Sequence, residues 1–341
     1  MKKSPFKFKI LYLPILLLAW CILGGWNFKH PLGIPTPTLA VPTQNIQYVC
    51  VAFDGAGMSP FWEESLSMAK KHNATFTYFV SGVFLLSPQS KFPERHSKTY
   101  QGPEGSLSKI GWGTSDTEIN QLISYLKKAQ QEGHEIGSHA MGHLHGSKWS
   151  EAQWDQELNA FQRVWLDVLK FPTANLHGFR SPYLEKNPAM YRSLKKLGYV
   201  YDTSATARMD TWPTRNAMGV WVFPLAEIPI ADTKGRTISM DYNFLFYDVR
   251  RPKRLKETRA IRKNRILQSY RNYFYHNYHG SRAPVHIGHH FQNWSGNIYQ
   301  EALWEFIAEI SKLPEVKLVS YRELAQILEQ KNRLRVFKNP F

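Results

Sequence analysis

The sequence predicts an α/β fold built on parallel strands. Two observations predict it. From about residue 46 onward, strand-like and helix-like runs alternate, which implies parallel strands joined by crossover helices. Reactive residues also recur just past the ends of the strand-like runs, where folds of this kind gather their chemistry. A chain of 341 residues is long enough for one large domain with a substantial core.

The elements follow in order. Tyr48 to Phe53 reads as a hydrophobic strand, followed by a lone carboxylate, Asp54. Phe61 to Lys71 reads as a helix and Thr75 to Val80 as a second strand. Leu86 to Gly113 is a long loop carrying Gly102, Gly105, Gly111 and Gly113, and loops of that length are uncommon unless functional. Thr117 to Glu132 is a helix, with apolar spacing at Ile119, Leu122, Ile123 and Leu126. His134 to Ser138 is a third strand and runs into His139 and His143. Ser150 caps a helix through Leu169 that has Glu151, Asp155 and Glu157 in its first half. Gly178 to Arg180 is a short strand, Ala189 to Leu197 a helix, and Tyr199 to Asp202 another strand. A late strand ends in His286, His289 and His290. Asp54, His139, Arg180, Asp202 and His290 each lie at or just past a strand's carboxyl end. There is no internal repeat. Gly55-Ala56-Gly57 is too short for a phosphate loop and lacks the following lysine.

Hydrophobic residues make up 43% of the chain and aromatics 14%, which excludes wholesale disorder. The 11 Trp and 17 Tyr suit sugar rings as well as a large core. The N-terminus carries Lys2, Lys3, Lys7 and Lys9, then an apolar run from Ile10 to Trp26. We read residues 1–30 as a signal peptide or membrane anchor, 31–45 as a proline-rich linker, and 46–341 as the catalytic domain. Leu18-Ala19-Trp20-Cys21 leaves a lipoprotein signal open, although Trp20 is bulky for one. Cationic residues before the run favour a cytoplasmic N-terminus and an exported domain. That domain would lie in the periplasm or cell envelope, anchored to the cytoplasmic membrane. The chain has two cysteines, Cys21 and Cys50, which offer no disulfide framework. The formal charge is +16. Its densest cluster, Arg250 to Arg271, is either a solvated helix face or a surface for anionic envelope polymer or lipid. Nucleic acid is a poor partner for an exported chain.

His139 and His143 lie four residues apart in Glu-Ile-Gly-Ser-His-Ala-Met-Gly-His and can reach one cation from the same side. With 13 histidines in the chain, the pair alone says little. Its company, Asp54, Arg180 and the late histidines, points to a metal hydrolase site.

In these residues the chain resembles the polysaccharide deacetylases of carbohydrate esterase family 4. Ala52-Phe53-Asp54-Gly55 resembles the first motif, Thr-Phe-Asp-Asp. His139-Ala-Met-Gly-His143 resembles the second, His-Ser/Thr-x-x-His, and Arg180-Ser-Pro182-Tyr183 the third, Arg-x-Pro-Tyr. Tyr201 to Ser204, Trp212 and Val220 to Leu225 resemble the fourth region. Arg282 to His290 resembles the last motif in the form seen in arthropod chitin deacetylases. Bacterial peptidoglycan deacetylases share the pattern.

The resemblance implies a distorted parallel (β/α) barrel and metal-dependent N-deacetylation of an acetylated polysaccharide, peptidoglycan or chitin-like. It implies a divalent metal, often zinc, held by one aspartate and two histidines, here His139 and His143. It implies Asp54 as the base, Arg180 as the residue orienting it, and a last-motif histidine as the acid. Tyr183 would lend a backbone N–H to the oxyanion, with Pro182 and Trp294 beside the substrate. Period-two alternation puts His286 and His290 on one strand face and His289 on the other, so His290 is the preferred acid and His289 the alternative. The chain departs from the pattern at Gly55, where the family has its metal-binding aspartate. Asp54 would then serve as base, ligand or both. The rival reading is a catalytically impaired barrel that binds glycan without hydrolysis.

Overall fold

The computed structural model describes residues 46–57 and 60–338. The expected membrane segment, the linker and Cys21 lie outside the described residues. No helix among the described residues is long and apolar enough to cross a membrane.

Strands and helices alternate as β1 (Gln47–Asp54), α1 (Phe61–Lys71), β2 (Thr77–Val80), α2 (Asp116–Gln131), β3 (Glu135–Ser138), α3 (Glu151–Asp167), β4 (Gly178–Phe179), α4 (Pro188–Lys196) and β5 (Tyr201–Asp202). Five short strands follow: β6 (Thr206–Arg208), β7 (Thr214–Arg215), β8 (Trp221–Val222), β9 (Leu225–Pro229) and β10 (Arg236–Ile238). The chain continues through α5 (Asp241–Val249), α6 (Pro252–Leu255), α7 (Arg259–His279), β11 (Val285–His290), α8 (Ile298–Ile310), β12 (Val316–Leu318) and α9 (Tyr321–Lys338). The elements expected up to Asp202 are all present, with ends displaced by no more than two residues. The run β6 to β10 and helix α5 were not anticipated. Their strands are two to five residues long, too short for an alternation pattern to register.

The main sheet runs β11-β1-β2-β3-β4-β5-β8-β7, with β12 on the same edge of β1 as β2. Every pairing in it is parallel except β7 with β8. A second sheet runs β10-β9-β6. The main sheet is curled into a half-barrel, a distorted form of the parallel barrel the motifs implied.

Strand β1 is buried along its whole length and sorts its side chains by period two. Val49, Val51 and Phe53 pack in the large core beneath the helices. Tyr48, Cys50 and Ala52 join Phe79, Tyr201, Phe223 and Tyr321 in a second core on the inner face. Asp54 is next in the inner series and stands at its open end. The β1–β11 register pairs Cys50 with His286 and Asp54 with His290, while Phe53 pairs with His289. One strand thus sends His286 and His290 inward and His289 outward.

Helix α3 begins at a capping box. Gln153 N–H donates to Ser150 Oγ at 3.3 Å, and Ser150 N–H donates to Gln153 Oε1 at 2.8 Å. Such a cap contributes about 1 kcal/mol. Its apolar stripe, Trp154, Leu158, Phe161 and Trp165, is buried, and Glu157 is buried among them.

The basic cluster is largely paired within the fold. Arg259, Lys263 and Arg271 reach Glu301, Glu305 and Glu309 on α8. Arg262 pairs with Asp248, and Arg265 with Glu257. Arg250 and Arg251 lie over the rings of Phe246 and Tyr247.

Candidate active site

The site sits at the carboxyl ends of β1, β3, β4 and β11. Asp54 ends β1 and is 3% exposed, and Arg180, just past β4, is fully buried. Arg180 Nη1 donates to Asp54 Oδ1 at 2.7 Å. Its Nε donates to Thr203 Oγ1 at 2.6 Å and its Nη2 to the Tyr321 hydroxyl at 3.2 Å. The guanidinium also lies 4.7 Å from the centre of the Phe79 ring. Burial works against its charge, but Asp54 and the surrounding hydroxyls outweigh that and raise its pKa. Arg180 is thus fixed from four sides, and it fixes Asp54.

His139 and His143 follow β3, with ring centroids 5.0 Å apart. His139 Nδ1 lies 2.8 Å from the Arg180 carbonyl oxygen. A carbonyl can only accept, so Nδ1 carries the proton and Nε2 the lone pair. His143 Nδ1 is buried with no hydrogen-bond partner among the described residues. Burial pushes both rings down to about 3, so both are neutral at pH 7. Neutral imidazoles with one tautomer fixed and one nitrogen orphaned fit a divalent cation. No third His, Cys, Asp or Glu completes a three-ligand group among the described residues. The donor set is therefore a pair, and position 55, where a carboxylate could join it, is glycine.

His290 closes the far side. Its backbone N–H donates to Asp241 Oδ2 at 2.8 Å, and its Nδ1–H to Asp241 Oδ1 at 2.7 Å. Desolvation lowers its pKa, but the charge and hydrogen bond of Asp241, with help from Asp54, outweigh this and raise it. Asp241 shifts the opposite way: burial raises it, and His290 and His289 bring it below the usual carboxylate range. The Asp241 carboxylate thus favours the protonated form of His290, which could give up a proton from Nε2. His289 is fully buried and faces the other way, with Nε2 3.0 Å from the Tyr270 hydroxyl. Burial pushes it down to about 4. His286 is also fully buried and lies parallel to the Tyr321 ring.

Pro182 is buried and Tyr183 is 48% exposed. Tyr183 holds φ at +57° and Leu184 at +56°, a left-handed pair that turns the backbone beside His143. His145 stacks on Tyr183, with centroids 3.9 Å apart. Opposite, Trp294 and Tyr242 flank His290, each ring centroid within 6.3 Å of it. Asp202 is fully buried and accepts from Ser204 and Tyr191, while Ser204 accepts from the Ser181 N–H. It braces the Arg180 turn and does not enter the site.

Sequence reasoning missed Asp241 and Tyr242. The one available signal was an acid opening an apolar helix after Thr-Ile-Ser-Met. That reads as ordinary N-terminal charge placement.

Residues 42–201 match the family model named Polysaccharide deacetylase. The chain carries a polysaccharide deacetylase domain. The matched stretch holds Asp54, His139, His143 and Arg180, and His290 lies beyond it. Among solved structures, the deacetylase domain resembles a Mycobacterium smegmatis protein assigned to the polysaccharide deacetylases. That match has 17% identity and a TM-score of 0.56, covering 86% of this chain and 96% of that one. A peptidoglycan deacetylase from Bacillus subtilis matches at 14% identity and TM-score 0.48, covering 86% and 97%. A family pseudoenzyme from Bacillus anthracis matches at 11% identity and TM-score 0.46, covering 82% and 66%. No curated protein sequence matches significantly.

Proposed function

We propose that this protein removes acetyl groups from an N-acetylated envelope polysaccharide by metal-dependent hydrolysis. One observation carries the reading. The buried Asp54–Arg180 pair, the neutral His139–His143 pair and the His290–Asp241 pair converge at one end of one parallel sheet.

His139 and His143 would hold a divalent ion, zinc in the first instance. When bound, the ion supplies Lewis acidity to the amide carbonyl. Arg180 holds Asp54 by Oδ1, which leaves the carboxylate to take a proton from water as its oxygen bonds to the carbonyl carbon. The Tyr183 backbone N–H, in its left-handed turn, stands for the oxyanion. The C–N bond then breaks as His290 gives its Nε2 proton to the leaving amine. Acetate and a free amino sugar result. Tyr183, Tyr242 and Trp294 offer faces on which sugar rings can stack.

Peptidoglycan N-acetylglucosamine or N-acetylmuramic acid is the first substrate, with chitin-like or exopolysaccharide N-acetylglucosamine the alternative. The basic apolar N-terminus supports an exported domain anchored at the cytoplasmic membrane. Mass spectrometry of muropeptides before and after treatment with the zinc-loaded protein tests the reading. Loss of 42 Da, about one acetyl group per modified sugar, is expected. No loss from wall, chitin oligomers or exopolysaccharide, with metal present, would instead favour a glycan-binding barrel without hydrolysis. Gly55 and the two-histidine donor set are what keep that second reading open.

A further inference from the structure

The turn between the two metal-binding histidines is held from outside: Gly82 N–H and Val83 N–H donate to the Ala140 and Met141 carbonyls at 3.1 and 2.9 Å, which leaves its amides to find acceptors elsewhere. Ala140 sits at φ +60° and His143 at +54°, both in the left-handed region that costs an L-residue about 1–2 kcal/mol. Ala140 has no hydroxyl with which to bind the turn from within. Its own N–H reaches Ser138 Oγ at 3.2 Å. The next two amides look outward. Met141 N–H and Gly142 N–H both donate to Glu157 Oε1, at 3.0 and 2.6 Å. The other oxygen, Oε2, accepts from the Tyr100 hydroxyl at 2.5 Å.

Glu157 is fully buried on α3, between Trp154, Leu158 and Phe161. No Lys, Arg or His pairs with it among the described residues. A carboxylate buried on the apolar face of a helix is costly unless donors satisfy it. All three of its donors belong to the histidine turn or to the long loop over it. The contact is close-fitting as well, because a Cβ at Gly142 would overlap the Tyr100 hydroxyl.

We propose that Glu157 is a positioning residue for the metal-binding histidine pair. It holds residues 140–143 in their strained shape from α3, and through Tyr100 it ties that turn to the loop spanning 86–113. This rests on the reading of His139 and His143 as metal ligands. It assigns a function to a helix carboxylate that sequence alone places among ordinary first-half helix acids.

The test uses the full chain, stripped of metal, with three substitutions. Glu157→Met removes every acceptor at nearly constant volume. Glu157→Gln restores an acceptor for both amides, and its amide can donate to Tyr100. Leu158→Ala damages the same helix and leaves the Glu157 hydrogen bonds to the turn in place. In metal-free Glu157→Met, hydrogen exchange at Met141 and Gly142 should quicken at least about tenfold beyond that in Leu158→Ala. Zinc affinity, by competition with a chelator, should fall about 10- to 100-fold. Glu157→Gln should recover most of both, while Leu158→Ala should lose stability and keep its zinc affinity. The proposal is overturned if Glu157→Met matches Leu158→Ala in turn exchange and zinc affinity. If Glu157→Met does not fold, Tyr100→Phe decides. A severalfold loss of zinc affinity supports the proposal, and an unchanged affinity overturns it. If the wild type binds no zinc, the metal reading falls, and the exchange comparison in metal-free protein judges Glu157 by itself.

Discussion

Asp54 and Arg180 form an ion pair with almost no access to solvent, at 3% and 0% exposure. Removing one partner of such a pair costs about 3–5 kcal/mol, because the other charge is left buried. Asp54→Asn keeps an acceptor for Arg180 and so should fall short of that loss, while turnover should drop at least about 100-fold. Steady-state deacetylation and thermal melts check both. Full turnover in Asp54→Asn would end the mechanism. Metal content separates the remaining roles: retained if Asp54 is base only, lowered if it is also a ligand. Gly55 stands at φ +59°, and among the described residues a Cβ there would find only Phe84 and Ser81 Oγ, both at 3.9 Å. Ser81 Oγ is buried without a hydrogen-bond partner among the described residues. Gly55→Asp therefore has room and a waiting donor, against a backbone cost of about 1–2 kcal/mol. We expect higher zinc affinity with a melting point lowered by a few degrees. Unchanged affinity in a folded variant would show that the third ligand cannot come from this position.

At the scale of elements, the proposed acid is built by two of them, β11 carrying His290 and α5 opening with Asp241. Asp241 raises the His290 pKa above its ordinary 6.5, so the protonated acid persists to higher pH. Activity that needs this proton should fall on the alkaline side as pH rises through the raised value. Asp241→Asn removes the charge, so that limb should move to lower pH as well as lower rate. A kcat–pH profile with the same alkaline limb in both proteins would assign it to another group. The stability linkage has the same sign. The raised His290 contributes stability that is full below its unfolded pKa and lost as pH rises through the folded one. The depressed Asp241 contributes above its unfolded pKa and loses it as pH falls through the folded one. The separation of His289 from His290 also comes from an element. β11 pairs its residues with β1 in a register that sends His290 to the Asp54 side and His289 to Tyr270.

At the scale of the whole molecule, the formal +16 is less available than it looks. Much of the Arg250–Arg271 cluster is spent on carboxylates of α5, α8 and the α6–α7 turn. The lysines preceding the N-terminal apolar run still argue for export. Protease added to intact spheroplasts of an expressing bacterium should digest the domain, whereas full protection would place it inside the cytoplasmic membrane.

What the sequence by itself determined was the order of elements as far as Asp202 and the placing of Asp54, His139, His143 and Arg180 at or just past strand ends. Those are short-range signals: continuous apolar strands, helical spacing, and reactive groups just past strand ends. What only the tertiary structure decided were the partners across the site. Asp241 stands 49 residues before His290. Glu157 reaches back 15 residues to Gly142. Tyr321 bonds an arginine 141 residues earlier. No periodicity carries such pairings, because they arise when a curled sheet and the helices around it bring distant chain segments to one rim. The apolar pattern dictates that the sheet forms, and the way it curls then selects which distant carboxylate meets which histidine.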